Sequence, residues 1–381
     1  MNQLTDVAKR EKTRANVPVK KNILGRDPHI DVLKGIGMIF VMLTHMQVID
    51  YLGYSLIAYL IMFALPMFFF ISGYLFPTSS DATMKFGPYV VKKILTLFVP
   101  YAIFFVVSFI WTQTVYAYSM GVPMFGFDVD WLNVVNAFLF AGQYLFDLAL
   151  VPAPLWFLHA LFFASLIFFF IMKIKNKIIL LVIALALSFV TLPLQAALSE
   201  SPIWLIRLLP AALFFMICGR LFRAFVSVPQ SEELGTLGKN RGVIGGFVSL
   251  LFILAGFFCM QQGRGDIWAI TSYWYFPGAI ISILGFYMLS RCTNNKVLQF
   301  VGINSILYLG LHPLILKLPI FESLPTWFAE QGFDGILAYV GYFIITFLFV
   351  TGLVLIALGI QTAFKPRRRT KQERPAEDFL A

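Results

Sequence analysis

Charge is scarce in this chain. Asp, Glu, Lys and Arg make up only 13% of its 381 residues, about half the roughly 25% of a soluble domain. With 59% hydrophobic residues and 42 Phe, that scarcity excludes a soluble globular domain. Cysteine is scarce too. Cys218, Cys259 and Cys292 are isolated, odd in number and set in apolar or span-edge contexts, so they support neither a disulfide framework nor a metal site. No internal repeat suggests the duplicated halves of many transporters. Residues 1–29 are polar and basic, without an apolar core or small-residue cleavage site, so no secretory signal peptide is expected.

What is present is a series of long apolar runs. Ten stretches read as transmembrane helices, at about 30–49, 56–76, 94–116, 154–173, 178–197, 203–222, 242–260, 267–289, 298–316 and 335–362. The expected fold is therefore an all-α polytopic membrane protein of about ten transmembrane helices. A membrane domain over 30–362 lies between a basic tail at 1–29 and a second at 363–381.

The net charge of +10 does not point to nucleic acid, because the basic residues fall in short loops between apolar runs. Twenty-five of the 29 Lys and Arg sit on one side: in residues 1–29, 77–93, 173–177, 220–241, 290–297 and 365–381. The others are Arg264 and Lys317 in opposite loops, and Lys34 and Arg207 within spans. Both termini are thus expected in the cytoplasm. The connection 117–153 has no Lys or Arg but carries Asp128, Asp130 and Asp147, and is expected outside. Its apolar middle, Trp131 to Phe146, reads as an interfacial helix or cap.

The first span places ionisable groups where they are costly. It reads Ile30-Asp31-Val32-Leu33-Lys34-Gly35-Ile36-Gly37-Met38-Ile39-Phe40-Val41-Met42-Leu43-Thr44-His45. Eleven helical residues turn about 1100°, so Lys34 and His45 share a face roughly 16 Å apart, and Asp31 lies one turn before Lys34 on nearly the same face. Intramembrane charges usually face a bundle interior or wet cavity and mark a reaction or transport path. The alternative is that Asp31 and Lys34 snorkel at the interface and His45 is a hydrogen-bonded core histidine; three such residues on one stripe favour the functional reading.

A neutral imidazole can take and return a proton, as acyl transfer from a thioester to a sugar hydroxyl requires. Of the other histidines, His29 precedes the first span, while His159 and His312 read as second site residues or, more simply, as satisfied core histidines. Ser72 and Gly73 end the second span in Phe68-Phe69-Phe70-Ile71-Ser72-Gly73-Tyr74-Leu75; they allow close helix packing and put a hydroxyl in an apolar wall. Lys85, Lys92, Lys93, Lys173, Lys175, Lys177, Arg220 and Arg223 are mainly orientation signals, with Lys92 and Lys93 as candidates to hold donor phosphates. Arg207 reads either as a contact to an anionic group on the acceptor or as the partner of Glu200.

The first helix, with a basic residue, ten intervening residues and then His45, resembles the signature of the bacterial acyltransferase-three membrane family. The run at 68–75, Leu155-Trp156-Phe157-Leu158, and Asn304-Ser305 leading to His312-Pro313 look similar too. The resemblance implies an inner-membrane enzyme that O-acylates surface carbohydrates or lipids, commonly with acetyl from acetyl-CoA and without a permanently bound cofactor. It implies His45 as the essential histidine and Lys34, steadied by Asp31, at the basic position. Ser72, Trp156, Arg207 and Asn304 are the expected substrate contacts, and Lys92 and Lys93 the donor contacts. The expected partners are acetyl-CoA, a glycan or lipid-linked oligosaccharide acceptor, the bilayer and polysaccharide-synthesis machinery. Two departures stand out. Many members have Arg where Lys34 stands; the Lys form looks more like the fucose-acetylase-like and exopolysaccharide acetylase branch. The acidic residue that the lipopolysaccharide-modifying branch carries after the tryptophan is replaced near Leu161 by apolar residues. Outside the family, the competing readings are a transporter or flippase for polysaccharide intermediates and a structural subunit of a polysaccharide synthase.

Overall fold

The structure, a computed structural model, describes residues 27–46, 54–77, 85–126, 129–140, 153–198, 205–226, 238–262, 265–266, 269–333 and 335–363. The tails and Asp128, Asp147, Glu200 and Arg264 lie outside the described residues. The described residues are all-α apart from one two-residue antiparallel pair. Its helices are α1 (Pro28–Thr44), α2 (Tyr54–Tyr74), α3 (Phe86–Ser119, with π-helical turns at Ile94–Phe98 and Thr112–Tyr116), α4 (Trp131–Phe140) and α5 (Trp156–Ile171, entered through a short 3₁₀ turn at Ala153–Leu155). They continue as α6 (Lys177–Ala197), α7 (Leu205–Val226), α8 (Gly238–Gln261), α9 (Tyr275–Cys292), α10 (Lys296–Ile303), α11 (Ser305–Leu316), α12 (Pro319–Glu322), α13 (Leu324–Glu330) and α14 (Ile336–Ala363). Strands β1 (Gly265–Asp266) and β2 (Ala269–Ile270) pair between α8 and α9.

Side-chain caps set several helix starts. The Asp27 carboxylate accepts from the His29 amide at 3.0 Å, with Pro28 in the first turn of α1. Asn176 accepts from the Ile178 and Ile179 amides to open α6, and Asn295 does the same for Val297 and Leu298 at α10. Each satisfies amides that a helix start leaves without intrahelical partners.

Each of the ten expected segments holds a helix, but their lengths differ from the expectation. Helices α3, α6, α7, α9, α14 and residues 242–261 of α8 are long and apolar enough to cross a membrane; α10 and α11 together make a seventh candidate, bent by 84°. Three boundaries depart from the hydropathy pattern for reasons local bonding explains. α1 stops at Thr44, leaving His45 as its cap: Thr44 Oγ1 and His45 Nδ1 both donate to the Val41 carbonyl, at 2.8 and 2.7 Å, and the His45 amide turns back to Met42. The expected single helix over 298–316 breaks because the Asn304 amide group donates to the Phe300 carbonyl at 2.8 Å. The span expected from 267 begins only at Tyr275. Before it, the Ile270 amide donates to Gln195 Oε1 at 2.8 Å, and Ser272 Oγ accepts from the Trp274 amide. In the other direction α3 starts before 94; its 34 residues reach about 51 Å, well beyond a hydrocarbon core of about 30 Å.

α1 is packed among α2, α9, α10 and α11. Two close crossings hold this centre. A Cβ at Gly302 would strike the Asp31 carbonyl and one at Gly35 the Leu298 carbonyl; likewise Gly73 and Gly219 press the backbones of α2 and α7 together. Gly73 thus fills the packing role expected of it. Outward faces are apolar: Leu185 of α6, Phe247 and Leu251 of α8, and Leu348 and Leu355 of α14 are exposed, as lipid contact requires.

Candidate active site

α1 carries Asp31 and Lys34 within the helix and His45 at its C-terminal cap. Because α1 is regular from Pro28 to Thr44, Lys34 and His45 stand about 16 Å apart on one face, separated by the buried Met38 and Val41. Lys34 Nζ lies 3.2 Å from Asp31 Oδ1, with side-chain exposures of 24% and 8%. Lys34 is therefore not a freely snorkelling residue, and a carboxylate turned inward needs such a partner. The same end of α1 is tied to the end of α9: His29 Nδ1 donates to the Ser290 carbonyl at 2.8 Å, and Arg291 lies 3.8 Å from Asp27. His29 has a structural use.

At the other end, His45 is exposed on the chain's own surface. A carbonyl only accepts, so the 2.7 Å contact to Val41 puts the neutral ring's proton on Nδ1 and the lone pair on Nε2. Helix α11 brings a second imidazole to this point. His312 is 0% exposed, and its ring centroid lies 5.3 Å from that of His45 at 73°. His312 Nδ1 donates to the Tyr308 carbonyl at 2.7 Å, and its Nε2 is buried with no hydrogen-bond partner among the described residues. Tyr308 in turn donates through its hydroxyl to Thr351 at 2.8 Å, fixing α11 on α14.

The other expected residues fall at varying places. Ser72 is half-buried, one turn beyond Phe68, whose ring lies at Gly37 of α1. Asn304 occupies the α10–α11 bend, two residues past the Gly302 that meets Asp31. Trp156 is buried at the start of α5, next to the 153–155 turn that packs on α11. His159 has ring contacts with Tyr101 and Phe163. Arg207 is half-buried in the first turn of α7. Lys92 is exposed and Lys93 lies 5.5 Å over the Tyr89 ring, on the early turns of α3 that pack against α5; no hydrogen bond or ion pair joins either to Lys34. Arg223 is used to close α2, donating to the Tyr74 and Phe76 carbonyls at 2.9 and 3.1 Å.

The arrangement can hold an anionic or carbonyl group near Lys34 and accept a proton at His45 Nε2. What sequence reasoning undervalued was His312. Its signals were a histidine before proline in a span and the likeness of the stretch from Asn304-Ser305 to His312-Pro313 to the family's pattern; Pro313 has no N–H for the Leu309 carbonyl beside it.

No curated protein and no solved structure matches the chain. A family model described as an acyltransferase domain matches residues 27–355, which takes in α1 through most of α14 and both histidines. With most of its length covered and several helices apt to span a bilayer, the chain belongs to the acyltransferase-3 family of multi-pass membrane acyltransferases.

Proposed function

We propose that this protein is a bacterial inner-membrane O-acetyltransferase that moves acetyl from cytoplasmic acetyl-CoA to a hydroxyl of a surface or exported glycan or of its lipid-linked precursor. The observation that carries the reading is the single face of α1, with the Lys34–Asp31 pair at one end and the free Nε2 of His45 at the other. In this reading the chain spans the bilayer ten times with both termini in the cytoplasm. The donor enters at the Lys34 end and the acceptor from outside at His45. Lys92 and Lys93 meet the donor phosphates, and Lys34, held by Asp31, positions the donor arm whose thioester end reaches His45. The acceptor O–H gives its proton to His45 Nε2 as the oxygen attacks the thioester carbon. The C–S bond breaks, and the departing sulfur takes that proton back. Ser72, Trp156, Arg207 and Asn304 serve as substrate contacts, and a polysaccharide-synthesis machine would supply the acceptor.

Loss of a general base lowers rates by about 10²–10⁴-fold, so His45→Ala should leave the protein inserted and acetyl-CoA bound, while surface-glycan acetate esters become undetectable by mass spectrometry. One observation favours a second reading, a transporter or flippase for polysaccharide intermediates: the span broken at Asn304, since discontinuous helices build many transport sites. If His45→Ala blocks glycan export while the remaining polymer keeps full acetate content, the transporter reading replaces the enzyme.

A further inference from the structure

We propose that His312 is a positioning residue for His45: its Nε2 lone pair steadies His45 while that ring carries the proton taken from the acceptor. The proposal rests on the acyltransferase reading above. Three observations carry it. First, the fold sets the His312 ring against the ring of His45, edge to face at 5.3 Å, from a helix far along the chain. Second, its protonation pattern is set locally. Nδ1–H is taken by the Tyr308 carbonyl at 2.7 Å, so the neutral ring has its lone pair on Nε2. Third, that Nε2 is buried with no hydrogen-bond partner among the described residues, in a side chain that is 0% exposed. A buried acceptor left unsatisfied is destabilising, and one that persists beside a proton-accepting histidine gains its use when the neighbour becomes a cation. Protonated His45 then meets either the lone pair or the π face of a neutral ring, and both contacts are attractive to a cation.

The chemistry balances without a new reactant. His45 Nε2 receives the acceptor's proton and returns it to the leaving sulfur; His312 neither gains nor loses one. The relation follows the general pattern in which a base is oriented by a third group, here a neutral imidazole in place of a carboxylate. Tyr308 and Thr351 hold α11 in place from behind, so the geometry belongs to the helix and not to a loose side chain.

Three substitutions separate this role from packing. His312→Gln keeps a polar acceptor near the Nε2 position, His312→Asn keeps polarity only near Nδ1, and His312→Phe keeps ring volume alone. With each variant and His45→Ala, membrane protein amount, acetyl-CoA affinity of purified protein and acetate ester content of surface glycan are measured. The expected order of acetate content is wild type, then His312→Gln, then His312→Asn and His312→Phe lower by tenfold or more, with acetyl-CoA affinity unchanged within about twofold. Wild-type acetate content in His312→Phe overturns the proposal, as does His312→Asn equal to or better than His312→Gln, because a packing role would favour the ring or the Tyr308 contact. If His45→Ala abolishes acetylation and His312→Phe does not, only this inference fails. If His45→Ala leaves acetylation intact, the acyltransferase reading fails and takes this one with it.

Discussion

The Val41 carbonyl oxygen has a large effect for a single atom. By accepting from both Thr44 Oγ1 and His45 Nδ1, it ends α1 and leaves the lone pair of the neutral His45 ring on Nε2. Three turns back, Lys34 and Asp31 form the one charged pair on the same face. Removing one member of such a pair leaves the other turned inward and unpaired, a loss of about 1–3 kcal/mol. Lys34→Met should therefore lower the thermal midpoint of the purified protein, and adding Asp31→Asn should recover part of the drop; a double variant less stable than Lys34→Met alone would refute a coupled pair. Lys34→Ala should impair both acetyl-CoA binding and turnover. Lys34→Arg should retain partial activity, since it keeps the charge but brings a planar fork where a point charge stood.

At the scale of elements, the site depends on how closely α10 lies on α1. Gly302 and Gly35 sit where a Cβ would collide with backbone carbonyls, and a backbone cannot yield as the end of a side chain can. Gly302→Ala should thus separate the helices, disturb Asp31 and reduce both accumulation and acetylation. Gly352→Ala, in α14 with nothing near its Cβ position, should leave both at wild-type levels. Equal behaviour of the two variants, read by membrane protein amount and glycan acetate, would show that the crossing does not matter. The existence of these helices was legible from apolar run length. Their ends were not, because capture of a carbonyl by Thr44, His45 or Asn304 depends on side-chain geometry that hydropathy averages over.

For the whole molecule, orientation is the claim with most consequences. Tags at residues 1 and 381 should report cytoplasm, and a tag near Asp128 should report the outside. A cytoplasmic report from the 117–153 segment would overturn the two-sided mechanism. Acetyl-CoA affinity should fall as salt rises, because the donor's phosphates meet cations that salt screens. Lys92→Ala with Lys93→Ala should weaken it more than Lys365→Ala with Arg367→Ala. Equal losses in both pairs would remove the early turns of α3 from the donor site. Those turns belong to a helix whose 34 residues run well past the length of a simple span.

The sequence alone determined the membrane class, the ten apolar segments, and the juxtaposition of Asp31, Lys34 and His45, because all three rest on composition and on helical periodicity within one segment. It also carried the family signature, since a basic residue and a histidine eleven apart need no tertiary contact to be seen. Only the tertiary structure decided that His312, and not His159, meets His45; which glycines are pressed against backbone; and that the ninth segment bends at Asn304. Those facts depend on which helices become neighbours, and in this chain nearly every helix has an apolar face that could serve. Packing chose among them through a few small residues and a few polar side chains that had to find partners inside the bundle.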